Sequence, residues 1–268
     1  MTMMTPLLNV MSAAAIKAGK GLLRDFGEVS ELQVSRKGPS NFVTKSDIRT
    51  EKLLVRELRN ARPEFGFLLE EGGEIPGNGP YRWIIDPLDG TTNFIHATPY
   101  FCVSIALEKR EGNRNEIVAG VIYDPIHNDL FAAEKNKGAA VNNRRLAVSS
   151  RDNLENAMLV TGNHRFSPEA ERQAAFVLFD AVSQCGAALR FFGATALDLA
   201  YLAAGRSDAC LYHSVKPWDI AAGLLLVREA GGVVAEPGGA PAHACSPALL
   251  ASNQSLHAPL QKLLAGKK

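Results

Sequence analysis

One segment constrains the fold of this chain more than any other. A short apolar run, Trp83–Ile85, leads directly into the sequence Asp86-Pro-Leu-Asp-Gly-Thr91. The run predicts a buried strand that ends at Asp86, and the residues after Gly90 predict the start of a helix. Pro87 fixes the turn between them, and Gly90 lets the backbone approach a ligand closely. The segment therefore predicts a strand that delivers two carboxylates into a tight turn.

This turn has the chemistry of a phosphate site. Asp86 and Asp89 offer the hard oxygen ligands that Mg²⁺ prefers, and the amides of Gly90 and Thr91 are donors for a phosphate oxygen. On these residues alone, an Asp-Gly turn with a helix cap is an equally good interpretation.

Three further acidic residues favour a functional site. Glu70 lies at the end of one predicted strand, and Asp47 and Asp219 lie at the starts of two predicted helices. Each acid alone has a structural explanation, such as a favourable interaction with a helix dipole. Together with the Asp86 turn, however, they predict an active site that binds metal ions.

Another class of phosphatase attacks phosphate with an aspartate in the sequence Asp-x-Asp-Gly-Thr. Here Pro87 occupies the position two residues before Asp89, and Asp86 is one residue out of register. The aspartate nucleophile is therefore missing, and direct attack by a metal-activated water is the better chemistry.

The rest of the chain mixes strand and helix patterns, which is typical of layered α/β or α+β proteins. Apolar spacing predicts helices over residues 6–26, from 44–47 to Pro63, and over 168–182, 194–204 and 218–230. Strands are predicted over residues 65–69, 83–86, 101–107, 117–123, 130–133, 158–161 and 233–234. The polar stretch 149–156 predicts a boundary between an N-terminal half, residues 1–148, and a C-terminal half, residues 149–268.

Charge and cysteine content limit the partners and the compartment. Lysine and arginine total 29 against 28 acids, so the net charge of +1 provides no broad field for nucleic acid or an anionic membrane. No apolar run approaches the ~18 residues of a membrane span. The four cysteines are widely scattered, as is typical of structural thiols in a reducing compartment. We therefore predict a cytoplasmic protein with neither a membrane nor a nucleic-acid partner.

Three segments together resemble the inositol monophosphatase family of Mg²⁺-dependent, Li⁺-sensitive phosphatases. They are Phe67-Leu-Leu-Glu-Glu-Gly72, Ile85-Asp-Pro-Leu-Asp-Gly-Thr-Thr-Asn93 and Trp218-Asp-Ile-Ala-Ala-Gly223. Their order and their spread over nearly the whole chain make the resemblance highly specific. It implies a layered α-β-α-β-α sandwich of the sugar phosphatase type, with the active site between the two halves, and a homodimer.

The resemblance also implies roles for individual residues. Glu70, Asp86 and the carbonyl of Leu88 would bind a first Mg²⁺ ion, and Asp86, Asp89 and Asp219 a second. Glu70 would help to bind a third, weaker ion, and Thr91, oriented by Asp47, would polarise the attacking water. The four carboxylates and a phosphate dianion together carry six negative charges, which three Mg²⁺ ions would balance, so we expect two to three ions.

The substrate side is less well defined by the resemblance. It assigns substrate contacts to Gly90, Thr91, Thr92, Gly193, Ala194, Thr195, Tyr212 and Asp219. Family members that handle inositol phosphate commonly carry a glutamate where this chain has Tyr212, so we expect the phenol to contact the alcohol portion and to relax specificity.

The predicted function is Mg²⁺-dependent hydrolysis of a small polyol or sugar phosphate, with inositol 1-phosphate as the default substrate. Histidinol phosphate, fructose 1,6-bisphosphate and a nucleotide phosphate are alternative substrates for the same fold. A non-catalytic regulatory binding protein is a further alternative.

Overall fold

The computed structural model describes residues 5–26, 34–38, 41–112, 114–162 and 184–265, and the single positions 169, 173, 179, 180 and 182. The helices with described bounds are α1 (Pro6–Asp25), α2 (Lys45–Ala61), α3 (Thr91–Ile95), α4 (Thr195–Ala203), α5 (Pro217–Glu229) and α6 (Gln254–Ala265). Strands β1 to β8 are Val34–Gly38, Asn41–Thr44, Gly66–Leu69, Gly73–Ile75, Tyr81–Asp89, Cys102–Glu111, Arg114–Asp124 and Asp129–Glu134. Strands β9 to β15 are Ala139–Val141, Arg144–Arg145, Met158–Thr161, Ala188–Arg190, Ala209–His213, Val233–Ala235 and Ala248–Ser252.

Two large sheets organise these elements. The first has eight strands in the order β10-β9-β8-β7-β6-β5-β3-β4, and its only parallel pair is β3 with β5. The second has five strands in the order β12-β11-β13-β15-β14, with β11 parallel to both of its neighbours. The short strands β1 and β2 form a separate antiparallel pair.

Apolar side chains divide the molecule into five layers. One core cluster lies between the pair α1 and α2 and one face of the first sheet, and it includes Met11, Leu54 and Ile85. A second cluster joins the other face of that sheet to α4 and α5, and these helices also pack against the second sheet. A third cluster places α6 on the far face of the second sheet through Leu256 and Leu260. The order of layers is α-β-α-β-α, which confirms the predicted fold class.

Most predicted elements are confirmed to within a few residues, including β3, β6, β7, β8, β11 and β14. The predicted helix over residues 168–182 lies largely outside the described residues. The predicted boundary at residues 148 and 149 lies between β10 and β11, and it stays a prediction. No described helix combines the length and the apolar character that crossing a membrane would demand.

Candidate active site

A bulge at the end of β5 places the two aspartates of the turn. In the ladder with β6, Asp86 pairs with Ser104, but Asp89 pairs with Cys102, so β5 carries one extra residue. Such bulges bend a strand and redirect its side chains. The strand therefore continues to Asp89 instead of ending at Asp86, as the sequence had suggested. The Leu88 amide donates to Asp86 Oδ1 at 3.0 Å, which fixes that carboxylate within its own turn.

Gly90 completes the turn in a conformation that favours glycine. Its φ is +94°, and a Cβ at this position would lie 2.9 Å from the carbonyl oxygen of Tyr100 and 3.2 Å from Ala194 Cβ. Any larger residue would therefore force the turn away from both neighbours. The predicted close approach of the Gly90 backbone to a ligand stays a prediction, and the neighbour nearest to Gly90 in the structure is the protein's own backbone.

The acids predicted from sequence converge on this bulge from three other places. Glu70 follows β3, and its amide donates to the carbonyl of Ile85 at 3.3 Å, directly beside Asp86. Asp219 lies in the first turn of α5, where its Oδ2 accepts a hydrogen bond from the Lys216 amide at 2.7 Å. Asp47 lies in the first turn of α2 and meets the turn through Thr91.

Burial raises the pKa of Asp86, Asp89 and Asp219, and neighbouring carboxylates add to the increase at Asp86 and Asp89. Asp86 is only 2% exposed, and burial raises its pKa well above the ordinary value, with further increases from the charges of Glu70, Asp89 and Asp219. Burial likewise raises the pKa of Asp89, followed by the charge of Asp219, while a hydrogen bond from Ala196 opposes the increase. Burial raises the pKa of Asp219 to about 6, opposed by the amide and the charge of Lys216. Gathering four acids at one bulge, one of them buried and three half-buried, is unfavourable unless protons or a cation balance them.

Glu70, Asp86, Asp89 and Asp219 are together called the acidic site. Its donor set fits Mg²⁺. It consists of carboxylate oxygens with the Leu88 carbonyl close by, and Mg²⁺ prefers oxygen ligands of this kind. Among the described side chains, no group of three or more Asp, Glu, His or Cys residues is already arranged to hold a metal ion. The fit therefore rests on the chemistry of the donors and on their shared burial, and it fixes neither the number nor the positions of the ions.

Thr91 and Asp47 form the hydroxyl–carboxylate pair that the sequence predicted. Thr91 Oγ1 lies 3.3 Å from Asp47 Oδ1 and 3.1 Å from the carbonyl oxygen of Leu88. The other oxygen of Asp47 accepts bonds from the Thr44 amide at 2.8 Å and from the Thr44 hydroxyl at 2.5 Å, in a capping box that starts α2. Burial raises the pKa of Asp47, although these bonds from Thr44 oppose the increase.

The predicted substrate-side segment Gly193–Thr195 lies against the turn. Asn93 connects them, because its Nδ2 donates to the carbonyl of Tyr100 at 2.8 Å and to that of Phe192 at 2.7 Å. Asp89 Oδ2 accepts a bond of 2.6 Å from the Ala196 amide at the start of α4. The structure thus brings residues 193–195 to the acidic site. Thr92 is exposed beside it.

The structure gives the Tyr212 side chain a partner within the protein. Its side chain is 3% exposed, and its hydroxyl donates to Asp198 in α4. A phenol has one hydrogen to donate, so Tyr212 does not donate to a substrate hydroxyl in this arrangement. The direct contact of Tyr212 with the alcohol portion stays a prediction, and in the structure the hydroxyl is taken up by Asp198.

Sequence reasoning missed Tyr100 and Asp198, which lie behind the acidic site. Asp198 is buried in the otherwise apolar face of α4 and accepts hydrogen bonds from both Tyr100 and Tyr212. A lone acid among Ala196, Leu197 and Leu199 was a usable signal, because a buried carboxylate requires donors. The identity of the donors was not readable from the local sequence.

A five-layered α-β-α-β-α sandwich with an acidic site at the end of β5 defines the class of sugar phosphatase folds. A model of the inositol monophosphatase family matches residues 3–267, and the chain belongs to this family. It is 49% identical to an inositol-1-monophosphatase of Caulobacter vibrioides, covering 92% of this chain and 96% of that protein. It is 43% identical to the Nus factor SuhB of Xylella fastidiosa, covering 90% and 85%. The crystal structure of the extragenic suppressor protein suhB of Bartonella henselae superimposes with a TM-score of 0.93 at 44% identity, covering 98% of this chain and all of that one.

Proposed function

We propose that this protein is a phosphoric monoester hydrolase that cleaves a small polyol or sugar phosphate, with inositol 1-phosphate as the default substrate. The observation that carries the proposal is the convergence of Glu70, Asp86, Asp89 and Asp219 beside the Thr91–Asp47 pair. Family membership and the relative named inositol-1-monophosphatase support the same reaction.

Glu70, Asp86, Asp89, Asp219 and the Leu88 carbonyl would hold Mg²⁺, two to three ions in all. Bound Mg²⁺ supplies positive charge for the phosphate oxygens and lowers the pKa of water. The protein's part is to collect the carboxylates at one bulge, where burial keeps competing water away from their charges. The amides of Gly90, Thr91 and Thr92 are proposed to donate to the phosphate oxygens, and residues 193–195 to border the substrate.

Thr91 orients the attacking water in this proposal. When its hydroxyl hydrogen points to Asp47, its oxygen presents a lone pair that accepts a hydrogen bond from the water. The water oxygen forms the new bond to phosphorus, the bond from phosphorus to the substrate alcohol breaks, and the alcohol oxygen gains a proton. Neither Thr91 nor Asp47 forms a covalent bond to the substrate, so no phosphorylated protein is expected.

A phosphate-release assay tests the proposal. The purified protein is supplied with inositol 1-phosphate, glycerol 2-phosphate, histidinol phosphate, fructose 1,6-bisphosphate and a nucleoside monophosphate, with Mg²⁺ or with EDTA. We expect release from inositol 1-phosphate in Mg²⁺, inhibition by Li⁺, and no release in EDTA. Full activity in EDTA, or none on any substrate in Mg²⁺, would reject the proposal.

We propose that the protein acts as a cytoplasmic homodimer. Its cysteines are all free, which suits a reducing compartment. Phe179 and Phe191 are 51% and 56% exposed, and exposed aromatic side chains are typical of interfaces. Light scattering after gel filtration should give twice the mass of the chain, and Phe191→Ser should shift the mass toward that of one chain.

A second candidate function is a binding role that needs no hydrolysis, as raised by the relative named Nus factor SuhB. One surface favours it: Lys45, Arg49, Lys52 and Arg56 line a groove on α2 around Ile48 and Leu53. Arg49 pairs with Asp25 and Arg56 with Glu57, so Lys45 and Lys52 are the cations best placed for an acidic partner. If this role is real, a cell whose phenotype depends on the protein should tolerate Asp86→Asn but not Lys45→Glu with Lys52→Glu.

A further inference from the structure

A buried carboxylate in α4 connects the two halves of the molecule behind the acidic site. Asp198 is 1% exposed, and its Oδ1 accepts a bond of 2.6 Å from the Tyr100 hydroxyl. Its Oδ2 accepts a bond from the hydroxyl of Tyr212 on β13. Tyr100 precedes β6 of the first sheet, whereas Asp198 and Tyr212 belong to the C-terminal half. Within this cluster, the hydrogen bond from Tyr100 to Asp198 is therefore the one that connects the N-terminal half to the C-terminal half.

Tyr100 is itself attached to the turn of the acidic site. Its carbonyl oxygen accepts the Asn93 amide hydrogen at 2.8 Å and closes the space above Gly90. Its ring packs on Phe192 with centroids 5.1 Å apart and meets Tyr201 edge to face at 5.6 Å. One residue thus contacts the turn through its backbone and α4 through its hydroxyl.

The first turn of α4 acts directly on a predicted metal ligand. The Ala196 amide, two residues before Asp198, donates to Asp89 Oδ2 at 2.6 Å. Because a helix turn moves as a unit, the position of Asp198 sets the position of this amide. The amide in turn sets which way the Asp89 carboxylate faces.

We propose that Asp198 is a positioning residue that, through its bond from Tyr100, holds the start of α4 against Asp89 and so orients one carboxylate of the acidic site. This inference rests on the proposed function for its catalytic consequence, although its structural part does not. Outer partners that orient metal ligands commonly change metal affinity or activity by 10–100-fold when they are removed.

A purely structural role explains Asp198 less well. Burial raises the pKa of Asp198 to about 7, although the bonds from Tyr100 and Tyr212 oppose the increase. A buried ionisable group of this kind is frequently no more stabilising than an apolar replacement of similar size. What the carboxylate provides beyond stability is two acceptor oxygens, one for each tyrosine, in fixed directions.

The test compares two variants that each remove one hydroxyl from the same carboxylate. Tyr100→Phe removes the hydrogen bond that connects Asp198 to the N-terminal half. Tyr212→Phe is the matched control, because it removes the hydrogen bond within the C-terminal half. Three quantities are measured: Mg²⁺ binding to the metal-free protein by calorimetry, hydrogen exchange of residues 192–200, and kcat and KM for inositol 1-phosphate.

We expect Tyr100→Phe to weaken Mg²⁺ binding and lower kcat by about tenfold, with KM nearly unchanged. It should also speed exchange at Ala196. Tyr212→Phe should change the Mg²⁺ affinity and the exchange at Ala196 by less than about twofold while lowering the thermal midpoint to a similar degree. Asp198→Asn, which keeps an acceptor for Tyr100, should retain more Mg²⁺ affinity than Asp198→Ala.

Two results would overturn the inference: equal effects of the two Phe variants, or unchanged exchange at Ala196 in Tyr100→Phe. Failure of the proposed function has a different signature, because the unmodified protein would then neither bind Mg²⁺ nor release phosphate. Hydrogen exchange still decides the structural claim in that case, since it requires no metal and no substrate.

Discussion

Asp47 and Asp198 are both buried carboxylates that accept hydroxyl hydrogen bonds, but they are assembled over different distances along the chain. Asp47 binds Thr44, three residues away, before it meets Thr91. Asp198 binds Tyr100 and Tyr212, which lie 98 and 14 residues away. Asp47 is therefore placed mainly by the start of its own helix, whereas Asp198 depends on the packing of three separate elements. The hydrogen-bonding arrangement around Asp47 is therefore local and can be predicted from sequence, whereas the arrangement around Asp198 exists only in the folded protein.

Asp47 and Asp198 matter for function only if the carboxylates of the acidic site are themselves required for activity. Asp86 lies at the centre of the acidic site, so Asp86→Asn should lower kcat/KM by about 10³-fold or more, equivalent to about 4 kcal/mol. The fold should persist, as circular dichroism would show. Glu64→Gln, an exposed acid elsewhere, is the control and should retain activity. Comparable activity of both variants would remove the acidic site from the mechanism.

The cluster of Asp198, Tyr100 and Tyr212 should respond strongly to an added negative charge. Tyr212→Glu would place a carboxylate against Asp198 in the core, and we expect a loss of about 3 kcal/mol in the free energy of unfolding. Urea denaturation measures this loss, and Tyr212→Phe should lose only about 1 kcal/mol as a control. If Tyr212→Glu is instead fully stable and more selective for inositol 1-phosphate over glycerol 2-phosphate, then residue 212 reaches the substrate, as the family resemblance implies.

Thr91 and Asp47 should act on the rate more than on substrate binding. Thr91→Ala and Asp47→Asn should each lower kcat by about 10²-fold with KM within threefold, because they act on the attacking water. Steady-state kinetics at saturating Mg²⁺ gives both numbers, and the exposed Thr98→Ala is the control. Trapping a phosphorylated protein from labelled substrate would contradict this mechanism.

The pH dependence of stability also sharpens the comparison. Burial raises the pKa of Asp198 from 3.8 to about 7, so the folded protein retains a proton that the unfolded chain loses. The stability contributed by this proton is complete below about pH 4 and is lost as the pH rises through about 7. The free energy of unfolding of the metal-free protein should therefore fall more steeply with rising pH than that of the Asp198→Asn variant. The difference in slope should be up to about 1.4 kcal/mol per pH unit. Parallel pH curves would show that Asp198 does not titrate in this range.

The parts of the site that were predictable from sequence are those built from neighbouring residues. The strand into Asp86, the glycine of the turn and the start of α2 at Thr44 all follow from residues within one or two turns of chain. Their meeting was predictable only because strand ends and helix starts gather at the same edge of a layered fold. Tyr212 shows the limit, since its hydroxyl is directed by Asp198, a partner that alignment with a family glutamate does not reveal.

Part of the fold also escaped prediction for physical reasons. Strands β13 and β15 pair with each other across the second sheet, and their continuous apolar runs have no alternation that marks a half-buried strand. Helix α6 contains Pro259, which in sequence argues against a helix interior. Long-range pairing and packing settled these elements.

The bulge in β5 has a consequence for how the chain tolerates insertions and deletions. Successive residues of a regular strand alternate between the two faces of a sheet, so residues three apart would face opposite ways. The extra residue changes this parity, and Asp86 and Asp89 pair with Ser104 and Cys102, which are two apart and share one face. Loss of either Pro87 or Leu88 would restore the regular alternation and leave the acids only two positions apart, without the Asx bond from Leu88 to Asp86 in its present form. The two acids would still share one face, but the bulge would be lost, so the number of residues between them determines the bulge and not the face.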